Sequence, residues 1–145
     1  MIKTFEHMLV PYNGTASSEK AFRKAVFMAM AIDAKITILT CLEERPAFGF
    51  FKTKTSKGEF ERERHQAEVQ HQKLKQFSTE HKVSCDTRIM KNGFASLKIL
   101  EFARDHDIDL IVMAKTKLSS NIEKQHYHST IENVIRNAPC PILIL

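Results

Sequence analysis

Hydrophobic and polar positions along the chain alternate between two periods. Short, mostly apolar runs occur at His7–Tyr12 (HMLVPY), Lys35–Leu42 (KITILTCL), Val83–Met90, Leu110–Ala114 (LIVMA) and Ile142–Leu145 (ILIL). They favour β-branched residues, and the first is closed by the turn pair Asn13-Gly14, so each predicts a strand. Between them, apolar residues recur every three or four positions. Ala21, Phe22, Ala25, Val26, Ala29 and Ile32 mark a first helix, with Ser17 or Ser18 offered as its N-cap. A polar second helix is predicted over Gly58–His81, with a thin seam of Phe60, Ala67, Leu74 and Phe77 and with His71 in the same stripe. Phe94–His106 predicts a third helix. Ile131, Val134, Ile135 and Ala138 mark a last one, ended by Pro139 and Pro141. Glu43–Lys57 contains Pro46 and Gly49 and has no clean period, which predicts a long loop.

The resulting order is β-α-β-α-β-α-β-α-β. Strands that alternate with helices pair in parallel through right-handed crossovers, with helices on both faces of the sheet. LIVMA and ILIL are apolar throughout, as strands covered on both sides are. The expected fold is therefore α/β, an open, doubly wound, five-stranded parallel sheet of the Rossmann-like kind. The chain has 145 residues, 43% of them hydrophobic, and carries no repeat, low-complexity tract or linker. One domain over residues 1–145 is expected.

Net charge is +5 with a pI near 9.2, but 22 basic residues face 17 acidic ones and the signs are interleaved, as in EFERERHQAE. Without a one-sided basic face or a reading motif, nucleic acid is not an expected partner. No run approaches the roughly 18 apolar residues of a membrane helix, and the opening MIKTFEHMLVPYNG lacks the apolar stretch of a signal peptide. Cys41, Cys85 and Cys140 are odd in number and scattered, with neither a disulfide framework nor metal-ligand spacing. A cytoplasmic protein with reduced thiols is expected, without stable membrane insertion.

In doubly wound sheets, ligands sit beyond the carboxyl ends of the strands where strand order reverses. Candidate positions are thus Pro11–Thr15, Cys41-Leu42, Asn92-Gly93 and Ala114–Thr130. Three of the surrounding segments, MLVPYNGT, GFASLKILEFARDHDIDLIVMAK and STIENVIRNAPCPILIL, together resemble the universal stress protein family. The spacing of Asp109–Met113 to Ala138-Pro139-Cys140-Pro141 is similar to the family's, and Glu43–His81 is the least similar part. The resemblance implies strand order 3-2-1-4-5 and dimers through the fifth strand.

The resemblance also implies where a nucleotide would lie. Family members that bind ATP use a loop Gly-x-x-Gly, about nine residues, then Gly-Ser or Gly-Thr, in which glycines let backbone N–H groups close on phosphate. Here no glycine follows Gly93, and the loop positions fall on Ala114, Lys117 and His128, with only Ser129 and Thr130 retained. The acidic residue after the first strand is Asn13. A Cβ at each glycine position crowds phosphate and disfavours positive φ; Lys115, Lys117 and Lys124 offer compensating charge. If a nucleotide binds, Pro11, Asn13, Cys41, Met113, Ala114, Lys117, Ser129 and Thr130 line its site.

Other constellations carry less. His126-x-His128 beside Tyr127 reads as a solvated loop, and His65 and His71 are six apart, off ligand spacing for a helix. Asp105–Asp109 sits at the amino end of its strand, where capping explains it. Cys140 between two prolines reads as structural, and Cys41 as a small hydrophobe. Ser129 has no nucleophile elbow, so a hydrolase is not expected. Phe48, Gly49, Phe50 and Phe51 followed by Lys52, Lys54 and Lys57 suit a partner, a membrane surface, a lid or a fold-back onto the core.

The ILIL strand, apolar to its last residue, would pair with a second copy if it lies at a sheet edge. The expectation is a non-catalytic stress-response or regulatory module. It acts as a homodimer through Ile142–Leu145 and on an unidentified protein partner, with no metal, no required cofactor and no tight ATP site. The alternative is a nucleotide-binding member (ATP or AMP) with a divergent phosphate loop.

Overall fold

The computed structural model describes residues 4–42, 57–91, 93–115 and 130–145. Five strands form one parallel sheet: β1 (His7–Pro11), β2 (Lys35–Leu42), β3 (Cys85–Lys91), β4 (Leu110–Met113) and β5 (Ile142–Ile144). Their order is β3-β2-β1-β4-β5, as expected. Helices α1 (Ala16–Ile32), α2 (Lys57–Glu80) and α3 (Ala95–Asp105) alternate with them, and residues 130–137 are the described part of α4. The loop expected over Glu43–Lys57 lies outside the described residues except for Lys57, which already begins α2.

The two faces of the sheet follow from strand alternation. Even-numbered residues of β1 and β2 (Met8, Val10, Ile36, Ile38), with Leu110 and Val112, pack under α1 and α2 against Phe22, Val26 and Leu74. Odd-numbered Leu9, Leu39, Ile111 and Met113 pack under α3 and α4 against Ile99, Leu100, Phe102 and Val134. β1, β2 and β4 are nearly all buried because both faces are covered, whereas edge strand β3 exposes Asp86, Arg88 and Lys91.

Local chemistry moved several boundaries. α1 is capped by Thr15 rather than Ser17 or Ser18: the Thr15 side chain accepts the Ser18 N–H, and the Ser18 hydroxyl donates back to the Thr15 carbonyl. A residue cannot cap while its own N–H is already the one being capped. β3 starts at Cys85 rather than Val83, because Val83 donates its N–H to the Ser78 carbonyl and closes the end of α2. α1 ends at Asp33 in the left-handed region (φ 56°), its N–H on the Ala29 carbonyl. Lys82 (φ 58°) and Asp107 (φ 52°) follow α2 and α3 in the same conformation, each without a glycine.

Within the Asp105–Asp109 cluster, expected to serve capping and turn formation, Asp107 turns the chain in the left-handed region and Asp109 acts instead as a brace between strands. Asp109 accepts the backbone N–H of Glu6 (2.7 Å) and of His7 (3.0 Å). One carboxylate thus ties the start of β1 to the start of β4. Among the described residues, no helix is long and apolar enough to cross a membrane.

Candidate functional site

β1 is where the topology reverses, since β2 pairs on one side of it and β4 on the other. Its pairing with β2 runs from His7↔Lys35 to Pro11↔Leu39, and the Tyr12 N–H still donates to the Leu39 carbonyl (2.9 Å). Its pairing with β4 stops at Leu9↔Ile111. Alternate residues point their amides to opposite sides. Tyr12 faces β2, so position 11 faces β4, and a proline there has no N–H to give. Pro11 therefore ends the β1–β4 ladder at the carboxyl end of the sheet, the place where doubly wound folds hold their ligands.

Several of the positions expected from the sequence stand at this end of the sheet. Half-buried Pro11 ends β1, buried Met113 ends β4 with buried Ala114 just beyond it, and half-buried Cys41 stands one residue before the end of β2, paired across the sheet with Met90. Met113 and Cys41 belong to the cluster under α3 and α4, and Pro11, odd-numbered like Leu9, points to the same face. The wall is apolar and sulfur-rich. Thr130 stands half-buried at the described start of α4. Lys115 is exposed, its N–H bonded to the Leu145 carbonyl (2.6 Å). Lys117, Lys124, His126, His128, Ser129, Asn92 and the Phe48–Phe51 segment lie outside the described residues.

Asn13 is exposed, but its side-chain oxygen is engaged in the turn: it accepts the Thr15 N–H (3.2 Å) and hydroxyl (2.7 Å). Because the Thr15 N–H needs an acceptor, the amide orientation is fixed by this network. Gly14 (φ 82°) follows, with the Gln70 amide of α2 at 3.4 Å from where a Cβ would stand. Any side chain here is strained by the positive φ alone.

The feature that sequence reasoning missed is what lies beneath this turn. His71 of α2 is 2% exposed, and its Nε2 is 2.6 Å from Thr40 Oγ1, whose hydroxyl donates to the Tyr12 carbonyl (2.9 Å). With the Thr40 proton committed to Tyr12, Nε2 must be the donor, so the neutral tautomer carries its proton there. Burial pushes the His71 pKa down to about 4, only partly offset by Glu68. Tyr12 meets the imidazole edge-on at 6.2 Å, and burial, then Glu19, raises its phenol pKa. A histidine in an apolar stripe was the available signal, but nothing in its spacing revealed Thr40 as partner. His65 is exposed, about a third of a turn around the helix from buried His71, so the two histidines do not converge.

The remaining perturbed groups are structural. Burial, then Lys35, lowers the pKa of His7, whose Nε2 is 2.7 Å from Thr37 Oγ1 at the amino end of the sheet. Burial pushes the Cys85 thiol up to about 11, and burial, then Asp109, raises that of Cys140. Among the described residues, no group of three or more His, Cys, Asp or Glu side chains converges as metal ligands would.

Residues 4–145 match the model of the universal stress protein family. The chain belongs to that family. It is 27% identical over 144 residues to a protein named as a universal stress protein in Staphylococcus aureus strain USA300, covering 98% of this chain and 84% of the relative. A solved universal stress protein from Lactobacillus plantarum superposes with a TM-score of 0.82 at 25% identity, over 97% of each chain. The universal stress protein from Archaeoglobus fulgidus, solved in complex with dAMP, shares the fold at 15% identity and a TM-score of 0.68, covering 97% of this chain and 98% of that one.

Proposed function

We propose that this universal stress protein is a non-catalytic regulatory module that works as a homodimer through a protein partner, and that the carboxyl end of its sheet does not hold a nucleoside triphosphate tightly. The observation that carries the reading is the absence of any glycine after Gly93. By sequence position, Ala114, Lys117 and His128 replace the glycines with which the family's ATP-binding loop frees its backbone of Cβ atoms. The described wall of Pro11, Cys41, Met113 and Ala114 also offers no charged group for acid–base work. Dimerisation through Ile142–Leu145 is supported by the contrast between the two sheet edges. β3 carries Asp86, Arg88 and Lys91, which discourage further pairing, and β5 carries no charge at all.

The dAMP complex of the Archaeoglobus relative favours a second reading, a nucleotide site with a divergent loop. Pro11, Asn13, Cys41, Met113, Ala114, Lys117, Ser129 and Thr130 would then line it. Calorimetric titration with ATP and Mg²⁺, ADP and AMP separates the two. Silence up to millimolar nucleotide is expected, and micromolar binding of ATP would install the second reading. Light scattering checks the dimer: the wild type should run at twice the chain mass and Ile144→Lys at the chain mass, and a monomeric wild type refutes that part.

A further inference from the structure

An exposed apolar feature of the described surface that is built up from the core is the seam between α1 and α2. Phe27 and Met30 leave α1 three residues apart, 54% and 48% exposed. The Phe27 ring is not a loose surface side chain. It stands edge-on to Phe77 at 6.2 Å and to His81 at 5.3 Å. Phe77 meets buried Phe22 at 6.3 Å below, and the Arg23 guanidinium lies 5.1 Å over its ring. His81 is fixed in turn by its Nδ1, 2.7 Å from the Phe77 carbonyl. An aromatic column therefore runs from the core to solvent and presents its last member already ordered, so a partner would lose little entropy in ordering it.

The charges around the seam have one sign to spare. Exposed Lys24 and Lys20 precede Phe27 by one and two helical turns, and exposed Lys73 precedes Phe77 by one. No ion pair among the described residues involves any of the three. Of the carboxylates nearby, Glu19 is tied to Arg23 at 3.2 Å, whereas Glu80 accepts from the neutral Gln76 amide and keeps its charge, so the lysines are in excess over it rather than alone. Aromatic side chains with Arg at the centre and an uncompensated charged rim are the composition of a binding hot spot.

We propose that this seam docks an acidic amphipathic helix of a partner protein, its apolar face on Phe27 and Met30 and its carboxylates toward Lys20, Lys24 and Lys73. The inference rests on the reading that the protein acts through a protein partner, and it assigns that partner's face and chemistry. α1 and α2 run parallel, as successive crossover helices on one face of a parallel sheet do. Two such helices with an apolar strip between them receive a third helix in the groove, by side chains spaced three and four apart. The basic rim selects for negative charge and speeds the encounter. A nucleic acid would use the lysines and leave aliphatic Met30 without a counterpart.

The test is selection from a displayed library of random peptides about four helical turns long on the full-length chain, followed by calorimetry with the enriched peptides. Expected are peptides of net negative charge with apolar residues at helical spacing. Their affinity should fall by about tenfold or more in Phe27→Ser, fall likewise in Lys24→Glu, and weaken with added salt. The Met30 methyl resonance should shift on binding. Circular dichroism of both variants checks that the half-exposed substitutions leave the fold intact. Enriched peptides that are neutral or basic, or that bind Phe27→Ser as tightly as wild type, overturn the seam while leaving the partner reading in place. Phe27-dependent binding of single-stranded oligonucleotides in preference to peptides overturns it too. A selection that enriches nothing also overturns it, and the nucleotide titration then decides the reading beneath.

Discussion

Neutral, buried His71 makes the stability of this domain depend on pH in a way that one substitution isolates. In the folded chain its pKa lies at about 4, against an ordinary value of 6.5. As pH falls below about 6.5, the unfolded chain takes up a proton at position 71 that the folded chain refuses. The stabilising contribution is therefore complete above about pH 6.5 and is lost as pH falls toward 4. At about 1.4 kcal/mol per pH unit the loss reaches about 3 kcal/mol, a large share of the 5–15 kcal/mol typical of a domain. His7, also lowered, adds to it with the same sign. Replacing His71 by Gln keeps an Nε2 donor of similar reach toward Thr40 and removes the titration. Urea unfolding followed by circular dichroism from pH 7 to 4 should show a steeper fall for wild type than for His71→Gln, even if the variant starts lower. Parallel pH profiles for the two proteins would refute the assignment of a neutral histidine under the Tyr12–Gly14 turn.

Other consequences are simpler to read. Asp109→Ala should cost about 2 kcal/mol, because it strips acceptors from two backbone N–H groups; Asp109→Asn, which keeps one acceptor oxygen, should cost less, with both read as urea midpoints. Thr15→Ala should lose about 1 kcal/mol by removing the α1 cap, and Thr15→Ser should restore most of it. Lys82→Gly should raise stability by about 0.5–1 kcal/mol, since only glycine enters the left-handed region without steric cost; an unchanged or lower thermal midpoint counts against the strain. The Cys85 thiol, pushed up to about 11 by burial, should stay unmodified by a thiol-specific chromogenic reagent at pH 8 in the native protein and react once the chain is unfolded.

The sequence by itself determined the order and type of the elements, the two-sided burial of the central strands and the family. Period is a local property: LIVMA and KITILTCL read as strands and the Ala21–Ile32 stripe as a helix wherever they are placed. The absence of glycine after Gly93 was equally legible, since it need only be looked for. Boundaries shifted where a side chain had two roles open to it, as at Ser18, which donates to Thr15 instead of capping. What only the tertiary structure decided are the contacts between residues far apart in the chain. Asp109 braces β1 from 102 and 103 residues away, and His71 reaches Thr40 across 31. Pro11 became the residue that ends the β1–β4 ladder only once strand order put β4 on the side where its missing N–H was needed. Phe27 became an exposed, ordered ring only because α2 set Phe77 and His81 beneath it. Each depends on which strands and helices are neighbours, a choice made by the collective burial of two apolar faces and encoded in no single stretch of sequence.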